Sequence, residues 1–247
     1  MESIIETKSL TKRYKKHCAV NKMSIQINKG EIYGLIGKNG AGKTTLMKCI
    51  FDFHSYSGEI TLDGKAITRK NIAMLSFATS EHSFFPDIDA ASHRAFYKEH
   101  FPKFNEARFK GLMEFFSLPM HRPIRSLSTG QKNQFEVILA LSQGADYIFM
   151  DEPFAGNDLF NREDFYKLLA GILDTNETLV LSTHLIDEVS SFIGRAILLK
   201  HGRIVGDKSL IELEESGTDL IDYIKSTYDY RTDRVSKALS DITGEEQ

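Results

Sequence analysis

Gly37-Lys38-Asn39-Gly40-Ala41-Gly42-Lys43-Thr44-Thr45 is the stretch on which the fold turns. It reads G-x-x-x-x-G-K-[ST], the pattern of a loop that holds phosphate in nucleotide hydrolases. Its glycines let backbone N–H groups turn inward into an anion nest. Lys43 adds a mobile positive charge for β- and γ-phosphates, and the Thr44 hydroxyl is placed to ligate Mg²⁺. The apolar run Ile32-Tyr33-Gly34-Leu35-Ile36 before the loop reads as a buried strand, and Leu46-Met47-Lys48-Cys49-Ile50-Phe51 after it reads as a helix. Strand, glycine loop and helix is the context the motif requires, with the helix aiming its positive end at the phosphates.

Outward from the loop, strand and turn signals alternate. Ser24-Ile25-Gln26-Ile27-Asn28 has the period of two of a half-buried strand, and Asn28-Lys29-Gly30 is a turn. Tyr14 stands among Lys12, Arg13, Lys15 and Lys16, where it serves either as a surface tyrosine or as a platform for a flat adenine ring. Ser57 to Gly64 predicts a short hairpin with an Asp-Gly turn, and Ile72 to Phe77 a buried strand. From 88 to 126 strand runs cease and Phe becomes frequent. Asn105 caps a predicted helix whose Phe109, Leu112, Met113 and Phe116 share one face, ended by Pro119. This block reads as a helical subdomain inserted into an α/β protein. Strands resume at 147–150, 178–182 and 196–199, then His201-Gly202 turns into Arg203-Ile204-Val205. Strands alternating with helical stretches point to a largely parallel, doubly wound sheet. A stripe of Leu220, Ile221, Tyr223, Ile224 and Tyr228 is expected to dock on the body, and residues 231–247 to fray.

Composition sets bounds on function. Of 247 residues, 41% are apolar and 26% charged, as in ordinary globular proteins. A net charge of -3 argues against a nucleic-acid partner. Two cysteines, Cys18 and Cys49, suggest no disulfide framework, and Cys49 is expected to be a buried thiol. The N-terminal residues are too polar for a signal peptide, and no run reaches the length of a membrane span. The expectation is a cytoplasmic protein whose membrane role, if it has one, comes through a partner.

Asp151-Glu152 completes a candidate site. It follows the strand at 147–150, and such sheets bind ligands at the carboxyl ends of their strands. Asp151 can share Mg²⁺ with Thr44, and Glu152 can polarise an attacking water.

Leu127-Ser128-Thr129-Gly130-Gln131, taken with Gly37–Thr45, Asp151-Glu152 and Thr183-His184, resembles the nucleotide-binding subunit of an ABC transporter. The likeness covers about residues 1–215. It implies an α/β P-loop NTPase of the ABC ATPase type: a RecA-like sheet lobe, an antiparallel β portion at the N-terminus and a helical subdomain near 80–135, followed by a helical tail over 216–247. It also implies roles. Tyr14 stacks on adenine, and Gly37, Asn39, Gly40, Ala41, Gly42, Lys43, Thr44 and Thr45 hold the phosphates of ATP. Asp151 and Thr44 hold Mg²⁺. Glu152 is the base, with Lys43 and the switch histidine His184 at the γ-phosphate. Ser128 and Gly130 reach the γ-phosphate of a second subunit, in a homodimer or heterodimer, and Asp158 lines the seam. The implied partner is an integral membrane permease, with the subunit peripheral on the inner face of the membrane, and the overall texture resembles bacterial exporters of drugs, peptides or lipids.

Three departures stand out. Thr129 replaces a glycine of the usual L-S-G-G-Q. Phe77-Ala78-Thr79-Ser80-Glu81-His82 lacks the glutamine that helps hold Mg²⁺ and water and reports to the permease; Glu81 or Ser80 are candidate substitutes. Asn157 stands where an apolar residue is customary. The missing glutamine motivates an alternative, a nucleotide-gated regulatory protein whose turnover is incidental, against which Glu152 and His184 argue. Fused double heads or coiled-coil inserts of translation and repair ATPases are not present in the sequence, and Ser128–Gln131 disfavours an unrelated P-loop kinase.

Overall fold

A computed structural model describes residues 4–79, 81–153, 159–185 and 189–229, with the side chains of 159–163 excepted. Two sheets organise it. Strands β1 (Ile4–Tyr14), β2 (His17–Asn28), β4 (Ser57–Leu62) and β5 (Lys65–Ala66) form an antiparallel sheet in the order β2-β1-β4-β5. The Asp63-Gly64 turn between β4 and β5 has positive φ at both residues, 54° and 70°, as a tight hairpin requires. Strands β3 (Ile32–Ile36), β6 (Leu75–Ala78), β7 (Tyr147–Asp151), β8 (Thr178–Thr183), β9 (Arg195–Lys200) and β10 (Arg203–Ser209) form the second, ordered β10-β9-β3-β8-β7-β6. All its pairings are parallel except β9 with β10. The near-continuous burial of β3, β7 and β8 is what a parallel sheet covered on both faces demands.

Helix α1 (Lys43–Ile50) lies between the two sheets. Leu46, Met47, Cys49 and Ile50 are at most 1% exposed and pack with Ile5, Leu10, Val20, Tyr147 and Phe149. Burying a Leu, Met or Ile side chain contributes about 1.5–3 kcal/mol each. The helix that begins at the glycine loop is therefore held by side chains from both sheets. Burial also pushes the Cys49 thiol up to about 11, so it stays protonated.

The second core lies on the other face of the parallel sheet. Helices α2 (Ala90–His100), α3 (Glu106–Phe115), α4 (Thr129–Ser142) and α5 (Leu159–Ile172) cover it. Asn105 caps α3, its side chain accepting from the Arg108 N–H at 2.9 Å, as expected. Arg108, buried with 6% side-chain exposure, ties this helical block to the sheet lobe. It donates to Glu177 in a bidentate pair at 2.7 and 2.9 Å, to the Leu141 carbonyl and to the Ile172 carbonyl. Helices α6 (Leu210–Glu215) and α7 (Leu220–Thr227) dock on the same core through Leu213, Leu220 and Ile224. The Tyr228 hydroxyl sits 3.0 Å from both the Ile36 and the Leu199 carbonyls, at the ends of β3 and β9.

Two local expectations need correction. Residues Ile72–Met74 form a 3₁₀ turn, not strand, because the Asn71 side chain accepts from the Thr68 N–H and the Met74 N–H donates to the Asn71 carbonyl. Helix α3 stops at Phe115, before Pro119, where Ser117 takes φ 53° and the Leu118 N–H closes back on Met113.

Candidate functional site

The glycine loop runs from the end of β3 into α1. Gly42 has φ 109°, and a Cβ there would meet the Ala19 carbonyl at 2.4 Å; one on Gly37 would meet the Leu199 carbonyl at 2.7 Å. Both positions need glycine for space, and Gly42 for conformation as well. The turn after β9 buttresses the loop: the Gly202 N–H donates to Ala41 and its carbonyl accepts from Asn21. Asn39, Gly40 and Ala41 thus span a loop pinned at both sides, and Thr44 and Thr45 open the helix, half-buried.

Lys43 is the centre of a charged cluster. Its side chain is 5% exposed, and the ammonium donates to the Gly37 carbonyl at 2.6 Å and lies 3.2 Å from Glu152 Oε1. The other Glu152 oxygen is 2.7 Å from His184 Nδ1. Glu152 itself has φ 48°, a left-handed conformation rare for a residue with a side chain. Ser182 stabilises that turn. Its hydroxyl donates to Asp151 Oδ1 at 2.5 Å and accepts from the Glu152 N–H at 3.1 Å, while the Ser182 carbonyl also receives that N–H. One buried serine so holds the Asp151 carboxylate and the Glu152 backbone. The structure therefore brings together Lys43, Asp151, Glu152 and His184, which are far apart in sequence.

The remaining candidates lie elsewhere on the fold. Tyr14, at the end of β1, is 42% exposed, edge-on to His54 at 5.6 Å with the Lys12 ammonium 5.0 Å from its ring. Ser128 caps α4 in a reciprocal box: its side chain accepts from the Gln131 N–H, and the Gln131 side chain accepts from the Ser128 N–H. Neither Thr129 nor Gly130 has positive φ, so threonine replaces glycine there without backbone strain. Asp158, Ser80 and Asn157 lie outside the described residues.

Glu81, offered as a stand-in for the missing glutamine, points elsewhere. Its side chain is 73% exposed and paired at 2.5 Å with Lys48 on α1, which lowers its pKa. A different residue faces the carboxylates. Glu136 on α4 is 2% exposed and, with Thr79 and Asn133, lines a cavity of about 10 Å³ beside Asp151 and Glu152. It accepts from the Ser83 N–H at 2.9 and 3.0 Å and from the Ser83 hydroxyl at 2.7 Å. Burial raises its pKa, and the Ser83 hydrogen bonds oppose that rise. A signal for it existed in the sequence, a lone acid in the apolar run Phe135 to Leu141. Ser182 and Tyr228 carried no such signal.

A glycine loop on the carboxyl edge of a parallel sheet, with Lys43 and the Asp151-Glu152 pair converging on it, defines a nucleotide-binding ATPase of the P-loop class. The comparisons sharpen this. The family profile described as ABC transporter matches residues 20–155. The chain is 27% identical over 231 residues to YcbN of Bacillus subtilis, an uncharacterized ABC transporter ATP-binding protein, covering 91% of this chain and 75% of that one. It is 30% identical over 241 residues to the methionine import ATP-binding protein MetN of Campylobacter jejuni, covering 85% and 72%. It is 25% identical over 233 residues to the Nod factor export ATP-binding protein I of Cupriavidus pinatubonensis, covering 90% and 72%. Among solved structures, a nucleotide-free ATP-binding cassette from an ABC transporter superposes with a TM-score of 0.72 at 25% identity, over 92% of this chain and 99% of that one. The chain belongs to the ABC transporter family and is an ATP-binding, ATP-hydrolysing subunit of that family. Among the described residues no helix is long and apolar enough to cross a membrane.

Proposed function

We propose that the chain dimerises over ATP, with a second copy or a homologue, and that closing and reopening of this dimer drives a separate membrane permease. The observation that carries the reading is the convergence of Lys43 and His184 on Glu152, one carboxylate oxygen 3.2 Å from the Lys43 ammonium and the other 2.7 Å from His184 Nδ1. Lys43 and the loop N–H groups take the phosphates of ATP, and Lys43 neutralises charge that develops on the transferred group. Glu152, released from Lys43, accepts the proton of the attacking water. His184 holds the Glu152 carboxylate and faces the γ-phosphate. Tyr14 stacks on the adenine.

The residues present suit Mg²⁺. A hydroxyl on Thr44 and a carboxylate on Asp151, held by Ser182, are the hard oxygen donors this ion takes alongside phosphate oxygens. When bound, it supplies charge neutralisation to the phosphates. Ser128 keeps its hydroxyl proton free of the capping box, in which its oxygen acts as acceptor, and Gly130 lies in the first turn where helical N–H groups have no intrahelical partner. Both suit a γ-phosphate presented by a second molecule, with Asp158 at the seam.

An aromatic groove supports the permease as partner. It holds about 260 Å³ between the sheet lobe and the helical block, lined by Phe51, Phe53, Phe77, Tyr97 and Phe101 among others. It adjoins the segment at 77–82 that resembles the family's reporter to the permease, and Phe53 is 61% exposed. In this reading the subunit sits on the inner face of the cell membrane through its partner. The direction we propose is export, of drugs, peptides or lipids. The relative named for Nod factor export supports it; the relative named for methionine import is the counter-example.

Steady-state ATPase assays on the purified chain, alone and with membrane proteins recovered by pull-down from detergent-solubilised membranes, test the reading. Recovery of a polytopic membrane protein that alters turnover is the expected result. Turnover indifferent to every recovered partner would favour the nucleotide-gated regulatory alternative. Transport into inside-out vesicles then tests export.

A further inference from the structure

Two cavities described above share a single lining residue. The small one beside Asp151 and Glu152 is bounded by Ala78, Thr79, Asn133, Glu136, Val137 and Pro153; the aromatic groove is bounded in part by Ser83, Glu136 and Gln143. Glu136 alone belongs to both. Its carboxylate faces the catalytic turn on one side and holds Ser83 on the other.

The segment between β6 and α2 is attached at more than this point. His82 Nε2 lies 2.8 Å from Asn133 Oδ1, one helical turn before Glu136 on α4, and Glu81 pairs with Lys48 on α1. The segment thus bridges the helix that follows the phosphate loop and the helix that begins at Ser128. A buried acid on such a helix carries a desolvation cost unless it is fully hydrogen-bonded. Three hydrogen bonds from one residue of the bridge meet that need. Nothing in packing alone calls for an acid at this place, since its neighbours Phe135, Val137, Ile138 and Leu139 are apolar and buried.

We propose that Glu136 is a positioning residue: through Ser83 it fixes Thr79 and residues 81–83 against the Asp151-Glu152 turn, so that the state of the groove sets the geometry of hydrolysis. The inference rests on the reading of Asp151 and Glu152 as the hydrolytic carboxylates.

The test is steady-state Mg·ATP turnover of the purified full chain carrying Glu136→Gln, Ser83→Ala or both, with thermal melting of each variant and ADP affinity measured alongside. Each single change is expected to lower kcat about tenfold, the rate equivalent of weakening one hydrogen bond to a charged acceptor, with KM and ADP affinity within about twofold of wild type. Because both act through one contact, the double variant is expected to match the slower single variant rather than multiply the effects. Wild-type kcat in Ser83→Ala and Glu136→Gln, multiplicative effects, or losses shared equally by kcat and KM and tracking the melting temperature would each overturn the proposal. Should Glu136→Gln fold poorly, Ser83→Ala alone decides it, because it removes one hydroxyl and leaves the helix untouched. Glu152→Gln is the control: wild-type turnover there refutes the underlying site reading, whereas an inactive Glu152→Gln beside fully active Glu136→Gln refutes only the positioning role.

Discussion

Glu152→Gln is expected to tighten ADP binding, although it is proposed to abolish the base. In the structure Lys43 is already engaged by Glu152 at 3.2 Å, with side-chain exposures of 5% and 21%. A phosphate that recruits Lys43 must first take it from Glu152. The gross attraction at that distance is about 5 kcal/mol at an effective dielectric constant near 20, and desolvation and rotamer ordering offset most of it. A net value of about 1–2 kcal/mol, above that of exposed pairs and below the cost of breaking a fully buried one, corresponds to roughly 5- to 30-fold in affinity. ADP is the informative ligand because it lacks the γ-phosphate, so closure of a dimer over ATP does not contribute. Calorimetric titration of ADP into wild type and variant reads the difference directly. The companion expectation is hydrolysis slower by roughly 10²–10⁴-fold. Unchanged or weaker ADP binding would refute the idea that Glu152 competes with nucleotide for Lys43.

Further outcomes follow from other contacts. Arg108→Met strips Glu177 of its bidentate partner while Glu177 stays 11% exposed, so urea unfolding should show a loss of about 3–5 kcal/mol; a loss below about 1 kcal/mol would mean that the clamp is not holding the two lobes together. His93 is fully buried, with Nδ1–H donating to the Asp89 carbonyl and Nε2 accepting from the Phe85 N–H, and burial lowers its pKa. Its proton binds more tightly to the unfolded chain. Stability is therefore complete above the unfolded value near 6.5 and falls as pH drops below it, by up to about 1.4 kcal/mol per pH unit; unfolding curves of wild type and His93→Gln that keep a constant separation from pH 7 to 5 would rule this out. Tyr14→Ala should weaken ATP binding by about 0.5–1.5 kcal/mol, and equal affinity in a titration would return Tyr14 to an ordinary surface role.

What the sequence made legible was local chemistry. The glycine loop, the strand before it and the apolar helix after it are written contiguously, and each obeys its own periodicity. The parallel sheet and the helical block follow from alternation and its interruption at 88–126 in the same way, whereas the antiparallel sheet was implied only by the resemblance. Asn105 as a cap and Asp63-Gly64 as a hairpin turn were readable because turn chemistry is decided within a few residues. The 3₁₀ turn at Ile72–Met74 was not, because apolar residues there look like strand until Asn71 is seen bonding to Thr68. The Asp151-Glu152 pair could be joined to the glycine loop from its place at a strand end, and His184 only by resemblance; the contact of Lys43 with Glu152 itself is made by sheet topology, in which β3 and β7 are both neighbours of β8. Glu136 was overlooked because a single acid in an apolar helix acquires meaning only when its partner, Ser83, is placed opposite. Glu81 attracted notice by being adjacent to the gap, yet its position on the bridge turns it outward to Lys48.

The Tyr228 hydroxyl reaches the carbonyl of Ile36 across 192 positions of sequence. Ile36 is the last residue before the glycine loop, so the floor of the nucleotide site includes a group from the far end of the chain. During synthesis the loop emerges early and the tyrosine late, and domains form in the order in which their parts appear. Lys43, Asp151, Glu152 and His184 all precede Tyr228 in the chain, so each is synthesised before the donor that the carbonyls beneath the loop take. The order of translation then makes the brace a final step, one that separates a chain holding every residue of the cluster from one whose loop is fastened from below.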